Sequence, residues 1–310
     1  MVAAPAYAWA MLQRIVEQRR KDLGGGFEVG RVLPFRQQRM VGPFIFFDHI
    51  GPTDFPPGIP RSMDVRPHPH IGLSTVTYLF AGEMMHRDSV GSAQAIRPGE
   101  VNWMTAGSGI THSERFEQAR AHGGPMHGIQ AWVALPDAHE ETDPAFSHYD
   151  SAQLPHLDDD GVRGRLVAGR AWGLVSPVRT HSPLFYLHCE LEEGARLELP
   201  ADATERAAYI VRGSIECAGA CHEAGRMLVF EPGKPATLAA TCGPALLMLL
   251  GGEPVGPRFI EWNFVSSSKE RIEQAKADWR AGRMKLPDLD HDEWIPLPGD
   301  PEQAPPEPMS

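Results

Sequence analysis

The sequence has little cysteine, few basic residues and no long apolar run. Its 310 residues include 4 cysteines, so a fold held together by many disulfides is not expected. Lysine and arginine total 29 against 40 acidic residues, and the resulting net charge of -11 repels phosphate backbones. No apolar run approaches the ~20 residues that a membrane-spanning helix needs. We therefore expect no direct nucleic-acid binding and no membrane insertion.

The start of the chain bears on where the protein works. The stretch 1–11 is weakly apolar, and no basic residue precedes it. A secretory signal peptide begins with a basic region, so we expect no signal peptide here. The sequence therefore predicts a soluble, cytoplasmic protein.

The four cysteines all lie in the second half of the chain. Cys217, Cys221 and His222 have a spacing that zinc sites use, but no second well-spaced pair follows them. We therefore predict that the cysteines are buried or reduced thiols.

Turn-forming residues are abundant, with 31 glycines and 29 prolines, and this favours many short strands. A chain of this length usually forms about two domains. Two pairs of segments resemble each other: residues 77–82 resemble 208–213, and residues 97–99 resemble 231–233. The similarity predicts a duplication. We expect an all-β protein with two tandem antiparallel β-barrels, of which the second lacks metal ligands.

Composition suggests where the parts begin and end. The acidic, proline-containing stretch 138–160 predicts a linker between an N-terminal domain, 1–137, and a C-terminal domain, 161–265. Helical periodicity follows, which predicts a C-terminal helix and extension over 266–299. The segment 300–310 is rich in proline and glutamate and is predicted to be disordered.

Two short motifs carry the strongest functional signal. His68 and His70 are two residues apart, and so are His112 and Glu114. Successive side chains on an extended strand alternate in direction, so the members of each pair point the same way. Two such strands facing each other in a barrel would bring three imidazoles and one carboxylate around one ion. This donor set suits a divalent transition metal, with Fe(II) a leading candidate.

The prolines beside the first motif strengthen it, because Pro67 and Pro69 hold His68 in extended geometry. The pair alone is weak evidence, since the chain has 14 histidines and some will be close by chance. A structural zinc site is an alternative, although such sites are usually closed and tetrahedral. The carboxylate and the absence of thiolate ligands favour an open, functional site.

These residues resemble the pirin family over nearly the whole chain. The most similar stretches are 68–70 (HPH), 75–79 (TVTYL), 102–110 (NWMTAGSGI), 112–114 (HSE), 127–130 (HGIQ), Trp132 and 263–265 (NFV). The resemblance implies a bicupin, with two tandem jelly-roll barrels and metal only in the N-terminal one. It also implies that His68, His70, His112 and Glu114 bind Fe(II), while Mn, Ni, Cu or Zn stay open as the metal.

The resemblance leaves two functions open. Bacterial pirins are often quercetin 2,3-dioxygenases, which implies an oxidoreductase that acts on a flavonol and O₂. In that role Glu114 would be the catalytic base for the flavonol hydroxyl. An animal member looks like an iron-dependent transcriptional co-regulator. The alternative is therefore a non-enzymatic redox sensor that acts through a protein partner.

Neighbouring residues carry weaker signals. His86 and His127 could orient the metal ligands, although an ordinary hydrogen-bonded or exposed role is favoured for both. Phe44, Phe46 and Trp103 could line an aromatic pocket, although core packing is the favoured role for all three.

Overall fold

Short strands joined by glycine- and proline-containing turns make up most of the protein. A computed structural model describes residues 11–24 and 26–301. The strands of the first half are β1 Leu12–Glu17, β2 Arg19–Asp22, β3 Glu28–Leu33, β4 Phe44–Phe55, β5 Val65–His70, β6 Leu73–Ala81, β7 Met84–Asp88, β8 Ala93–Ile96, β9 Val101–Thr105, β10 Ile110–Arg115, β11 Gly124–Ala134 and β12 Ala145–Tyr149.

The second half continues in the same style. Its strands are β13 His156–Asp159, β14 Val162–Ala171, β15 Leu174–Val175, β16 Leu184–Leu191, β17 Arg196–Glu198, β18 Glu205–Arg212, β19 Ser214–Cys217, β20 Ala220–Glu223, β21 Arg226–Phe230, β22 Thr237–Ala239, β23 Ala245–Gly252, β24 Phe259–Glu261 and β25 Phe264–Ser266. The helices of the described residues are α1 Glu117–His122 and α2 Lys269–Arg280. None of them is long and apolar enough to cross a membrane.

The strands form two copies of one arrangement, each with a large and a small antiparallel sheet. In the first copy the large sheet has the order β12-β9-β6-β11-β4-β3-β2 and the small one β5-β10-β7-β8. The second copy repeats this as β1-β21-β18-β23-β16-β14-β13, with β15 beside β14, and β17-β22-β19-β20. Apart from β15, each strand of one copy has a counterpart at the same position in the other. The predicted all-β fold and its duplication are confirmed.

The second copy takes its outermost strand from the start of the chain. The predicted N-terminal segment 1–137 contains β1, yet β1 pairs with β21 of the second copy. The predicted linker 138–160 contains β12, which pairs with β9 of the first copy. The second copy therefore takes one edge strand from outside its own run of sequence, whereas the strands of the first copy, β2 to β12, follow one another without interruption.

A reciprocal pair of hydrogen bonds joins the two copies at their large sheets. The Tyr78 hydroxyl of the first copy lies 2.8 Å from His188 Nδ1 of the second. The Tyr209 hydroxyl of the second copy lies 2.8 Å from His49 Nδ1 of the first. The two tyrosines belong to the segments whose sequences resemble each other, so the structure places the two similar segments in equivalent roles.

The chain after the second copy returns to the first. Helix α2 begins at an N-cap, Ser268, whose hydroxyl accepts a hydrogen bond from the Arg271 backbone N–H. Its buried face carries Ile272, Ala275 and Trp279, and the Trp279 indole donates to the Ile295 carbonyl at 3.0 Å. The predicted disorder of 300–310 falls almost wholly outside the described residues.

Candidate metal centre

Strands β5 and β10 are neighbours in the small sheet, and their pairing brings the two motifs together. His112 lies directly opposite His68 in the antiparallel register. One ring nitrogen from each of His68, His70 and His112 lies within 4.8 Å of those of the other two, and all three rings are buried. β5 is the edge strand of its sheet, so Pro67 and Pro69 cost it few ladder hydrogen bonds. Three predicted ligands therefore converge.

Backbone carbonyls orient two of the imidazoles. His68 Nδ1 lies 2.9 Å from the Arg66 carbonyl oxygen, and His70 Nδ1 lies 3.0 Å from that of Asn263. Since a carbonyl can only accept, each Nδ1 carries the proton and donates it. This tautomer leaves the Nε2 lone pair of each ring for a metal.

A chain of side chains orients the third imidazole. Asp88 Oδ1 accepts the backbone N–H groups of Val90 and Ser92, while its Oδ2 lies 2.9 Å from His86 Nε2. His86 Nδ1 in turn lies 3.3 Å from His112 Nδ1. If His86 donates from Nε2 to the carboxylate, its Nδ1 accepts the proton of His112 Nδ1.

The far nitrogen of His112 then has an unshared electron pair. His112 Nε2 is buried, and no hydrogen-bond partner reaches it within the described residues. A buried polar atom without a partner is costly unless a ligand satisfies it. The orientation through His86, which the sequence treated as the less favoured role for that residue, thus fits the binding of a cation.

Burial keeps the three rings neutral, which metal ligation requires. It lowers the pKa of His68 to about 4, against a hydrogen bond to the Arg66 carbonyl that raises it. Burial also lowers the pKa values of His70 and His112 well below 6.5, and the neighbouring imidazoles add to the effect. Three neutral imidazoles with one free nitrogen each are donors that suit a transition-metal ion.

Glu114, the fourth predicted ligand, lies in the same cavity but stands apart from the histidines. It is buried two residues beyond His112, after an irregularity in the β5–β10 pairing. Its oxygens do not belong to the group within 4.8 Å. Burial raises its pKa to about 7, although a hydrogen bond with Thr77 lowers it. Its role as a ligand stays a prediction.

His68 and His70 line a cavity of about 350 Å³ with aromatic walls. Phe46 and Trp132 stack at 4.0 Å between ring centroids, and the Trp132 ring meets the His70 ring edge-on at 5.0 Å. Phe44 and Trp103 are buried in the core between the copies, as favoured. Phe46 lines the cavity, which was the less favoured role. The other lining residues include Phe27, Ile50, Met84, Trp262 and Ile295.

A polar edge completes the cavity. The Arg31 guanidinium makes two hydrogen bonds to the Asp48 carboxylate, at 2.9 and 2.8 Å, and lies 4.5 Å from the centre of the Phe46 ring. Lys21 also lines the cavity. Burial raises the pKa of Asp48, while the Arg31 charge opposes this. The cavity thus combines apolar, aromatic walls with a charged edge that includes Lys21 and Arg31 as well as Asp22 and Asp48.

The C-terminal segment, residues 285–297, makes hydrogen bonds to the strands that carry the histidines. The Asp290 carboxylate accepts hydrogen bonds from the Ser113 hydroxyl at 2.6 Å and from the Arg115 guanidinium at 2.7 Å. The Ile295 backbone N–H donates to the Pro67 carbonyl at 2.8 Å. Sequence reasoning missed these contacts, since their partners lie far apart in the chain and share no motif.

Comparisons with known proteins agree with this architecture. The family model described as Pirin matches residues 26–133, and the one described as Pirin C-terminal cupin domain matches residues 186–285. A pirin-like protein of Caulobacter vibrioides is 63% identical over 93% of this chain and 100% of that protein. This chain belongs to the pirin family. The resemblance predicted from the motifs is confirmed, and so is the bicupin fold.

Solved structures place this pirin among related folds. The crystal structure of quercetin 2,3-dioxygenase from Acinetobacter baumannii is 34% identical, with a TM-score of 0.86 over 96% of this chain and 98% of that one. A bacterial pirin of Escherichia coli in complex with nickel(II) is 17% identical, with a TM-score of 0.59 over 78% of this chain and 99% of that one. At that identity the second comparison supports the fold alone.

Proposed function

We propose that this pirin is a metal-dependent dioxygenase of the quercetin 2,3-dioxygenase type, acting on a flavonol and O₂. One observation carries the proposal: three buried imidazoles converge on one point, and two of them, His68 and His70, also line an aromatic cavity. The similarity to the Acinetobacter enzyme supports the same reaction class. A planar, polyhydroxylated aromatic compound matches the chemistry of these walls, because it can stack on them and also form hydrogen bonds.

The metal would be held by His68, His70 and His112, with Glu114 as the proposed fourth ligand and Fe(II) as the leading candidate. When bound, the ion would acidify a coordinated hydroxyl and support chemistry with O₂ at its open positions. The chain supplies the rest. The backbone carbonyls and His86 fix the ring orientations, so little ordering remains to be done when the ion arrives.

Orientation and proton transfer fall to residues of the cavity. The Phe46–Trp132 stack forms one wall, against which a flavonol ring system can lie flat. Glu114 lines the same cavity as His68 and His70, and we propose that its carboxylate takes the proton of the flavonol 3-hydroxyl. The apolar residues around it exclude water. In the overall reaction O₂ is incorporated and carbon monoxide leaves.

The decisive experiment uses protein loaded separately with Fe(II), Mn, Ni, Cu or Zn. Quercetin is added without oxygen and air is then admitted, while flavonol absorbance and released carbon monoxide are followed. We expect catalytic loss of the flavonol with one equivalent of carbon monoxide, at least 100-fold faster than for the His70→Ala variant. Absence of turnover with every metal would refute the proposal.

One observation favours a second function, that of a non-enzymatic redox sensor. Asp290 of the C-terminal segment makes hydrogen bonds to strand β10, which carries His112. A change at the metal could alter that segment and so change what a protein partner meets. The measurement is hydrogen exchange over 285–297, compared between Fe(II) and Fe(III) protein. A redox-dependent change in protection, together with no flavonol turnover, would favour the non-enzymatic sensor over the dioxygenase.

A further inference from the structure

Two of the four cysteines face each other on the surface of the second copy. Cys221 lies on β20 and Cys242 in the turn after β22, and both are exposed. Their Sγ atoms are 3.3 Å apart. Cys189 and Cys217 are buried and take no part. The prediction that the cysteines are buried or reduced thiols therefore leaves out the exposure and contact of this pair.

Strand register explains why Cys217 and Cys221, though close in sequence, do not face each other. Across the β19–β20 hairpin Cys221 lies opposite Glu216, whereas Cys217 lies opposite Ala220. Opposite residues of an antiparallel pair share a face, and neighbours along a strand alternate. Cys217 and Cys221 thus lie on different faces despite their close spacing. The true neighbour, Cys242, is 21 positions further along the chain.

The sheet holds the two thiols close through its backbone. β20 pairs with β19, and β19 pairs with β22 just before Cys242. A disulfide needs its sulfur atoms ~2.05 Å apart, with a Cβ–S–S–Cβ dihedral angle near ~90°. The two sulfur atoms are 3.3 Å apart, and we expect side-chain rotation to close the remaining distance. Both thiols are open to solvent, so a soluble oxidant can reach either one.

We propose that Cys221 and Cys242 form an oxidisable dithiol site, which closes to a disulfide in the presence of hydrogen peroxide or a low-molecular-weight disulfide. With peroxide, one thiol becomes a sulfenic acid and releases water. The second thiol then displaces the hydroxyl group as another water, and the S–S bond forms. The pair loses two electrons and two protons, and one peroxide becomes two waters. A thiol reductant reverses the reaction.

The new bond would link β20 to the turn after β22 and close a loop that contains β21 and β22. β21 belongs to the large sheet of the same copy, where it pairs with β1 and β18. Closing such a loop removes conformations from the unfolded chain. For a protein of this size, we expect the melting temperature of the oxidised form to rise by about 3–10 °C.

The test counts thiols in the full-length protein before and after one equivalent of peroxide. The protein is unfolded, its free thiols are alkylated without prior reduction, and its intact mass is measured by mass spectrometry. We expect four labels on the reduced protein and two on the oxidised protein, with the two labels at Cys189 and Cys217 and a mass loss of two hydrogens. Peptide mapping should find Cys221 joined to Cys242 within one chain.

Matched variants separate this pair from general oxidation. Cys221→Ser and Cys242→Ser should each keep three labels after peroxide and show no rise in melting temperature. The control Cys217→Ala removes a buried thiol and should still lose two labels. Four labels on the oxidised wild-type protein, sulfinic acid at either residue, or a disulfide between two molecules would overturn the proposal.

Discussion

The two copies share a strand order but differ in the side chains that face each other across two strands of the small sheet. In the first copy β5 and β10 are adjacent, and His68 faces His112. Their counterparts in the second copy, β17 and β22, are also adjacent, and there Leu197 faces Leu238. Both leucines belong to a continuous apolar core. The fold therefore does not need the metal site, because the same framework closes equally well around packed leucines.

The comparison also shows what a functional interior requires. The first copy has buried imidazoles, a buried carboxylate and a cavity of about 350 Å³ at these strands. Buried polar groups destabilise a protein unless they have partners, and a cavity forgoes packing. In the first copy, hydrogen bonds to Asn263 and Asp290 compensate for this cost, and both residues come after the second copy in the chain.

The largest effect is expected at the histidines of the first copy. His112→Ala removes one of three converging donors and should lower metal affinity by at least 100-fold, as measured by titration with Fe(II) under anaerobic conditions. The matched control is His148→Ala. His148 lies in a partly exposed group with Glu100 and Asp150, and we expect its loss to leave both metal content and affinity unchanged. Equal losses in the two variants would mean that the buried site is not the main one.

The equivalent change in the second copy should affect stability instead. Leu238 is fully buried, so Leu238→Ala should lower the free energy of unfolding by about 2–5 kcal/mol through lost burial and a residual cavity. Metal content should not change. Urea denaturation of the metal-free protein, with metal analysis of the same preparations, measures both. A loss of metal on this substitution would contradict the independence of the two copies.

A smaller effect is expected where Asp88 orients His112 through His86. Asp88→Asn keeps the shape but can present an N–H to His86, which would favour the wrong tautomer. Partners of this kind typically alter metal affinity by about 10–100-fold. We expect a loss in that range, with an altered electronic spectrum of the Co(II)-substituted protein. If affinity and spectrum both stay as in the wild type, the chain of contacts does not orient the ligand.

The sequence could predict the features of this site that depend on residues close together in the chain. It could not predict contacts between residues that are far apart in the chain. The placement of His68 and His70 followed from strand alternation and the flanking prolines, which are local effects. His86 was identified only as a weak candidate, because its contact with His112 depends on how β7 pairs with β10. The Asn263 carbonyl, which carries no side-chain signal, could not have been found this way.

For the fold, too, the sequence predicted local features but not the pairing of distant segments. The duplication was visible because equivalent turns and strands repeat at similar intervals. The place of β1 in the second copy was not visible, since β1 pairs with a strand more than 200 residues away. A strand's sequence records which of its faces is buried, but not which neighbour it pairs with. The Cys221–Cys242 contact was hidden for the same reason.

The smallest predicted effect concerns the reciprocal tyrosine–histidine pairs between the copies. Burial lowers the pKa of His49 to about 3 and that of His188 to about 4. In the unfolded chain both titrate near 6.5, so the unfolded state binds more protons as the pH falls below that value. The free energy of unfolding must therefore fall on acidification, and each residue contributes a loss of about 0.7 kcal/mol between pH 7 and pH 6.

Glutamine variants test this and compare the two pairs. His49→Gln and His188→Gln keep a side chain that can hydrogen-bond to the tyrosine hydroxyl, but it does not titrate in this range. Each should reduce the difference in unfolding free energy between pH 7 and pH 6 by about 0.7 kcal/mol, and the double variant by about twice that. Urea denaturation at the two pH values gives the numbers. Because the two pairs are equivalent by duplication, a large effect from one and none from the other would show that only one histidine is kept neutral by the interface.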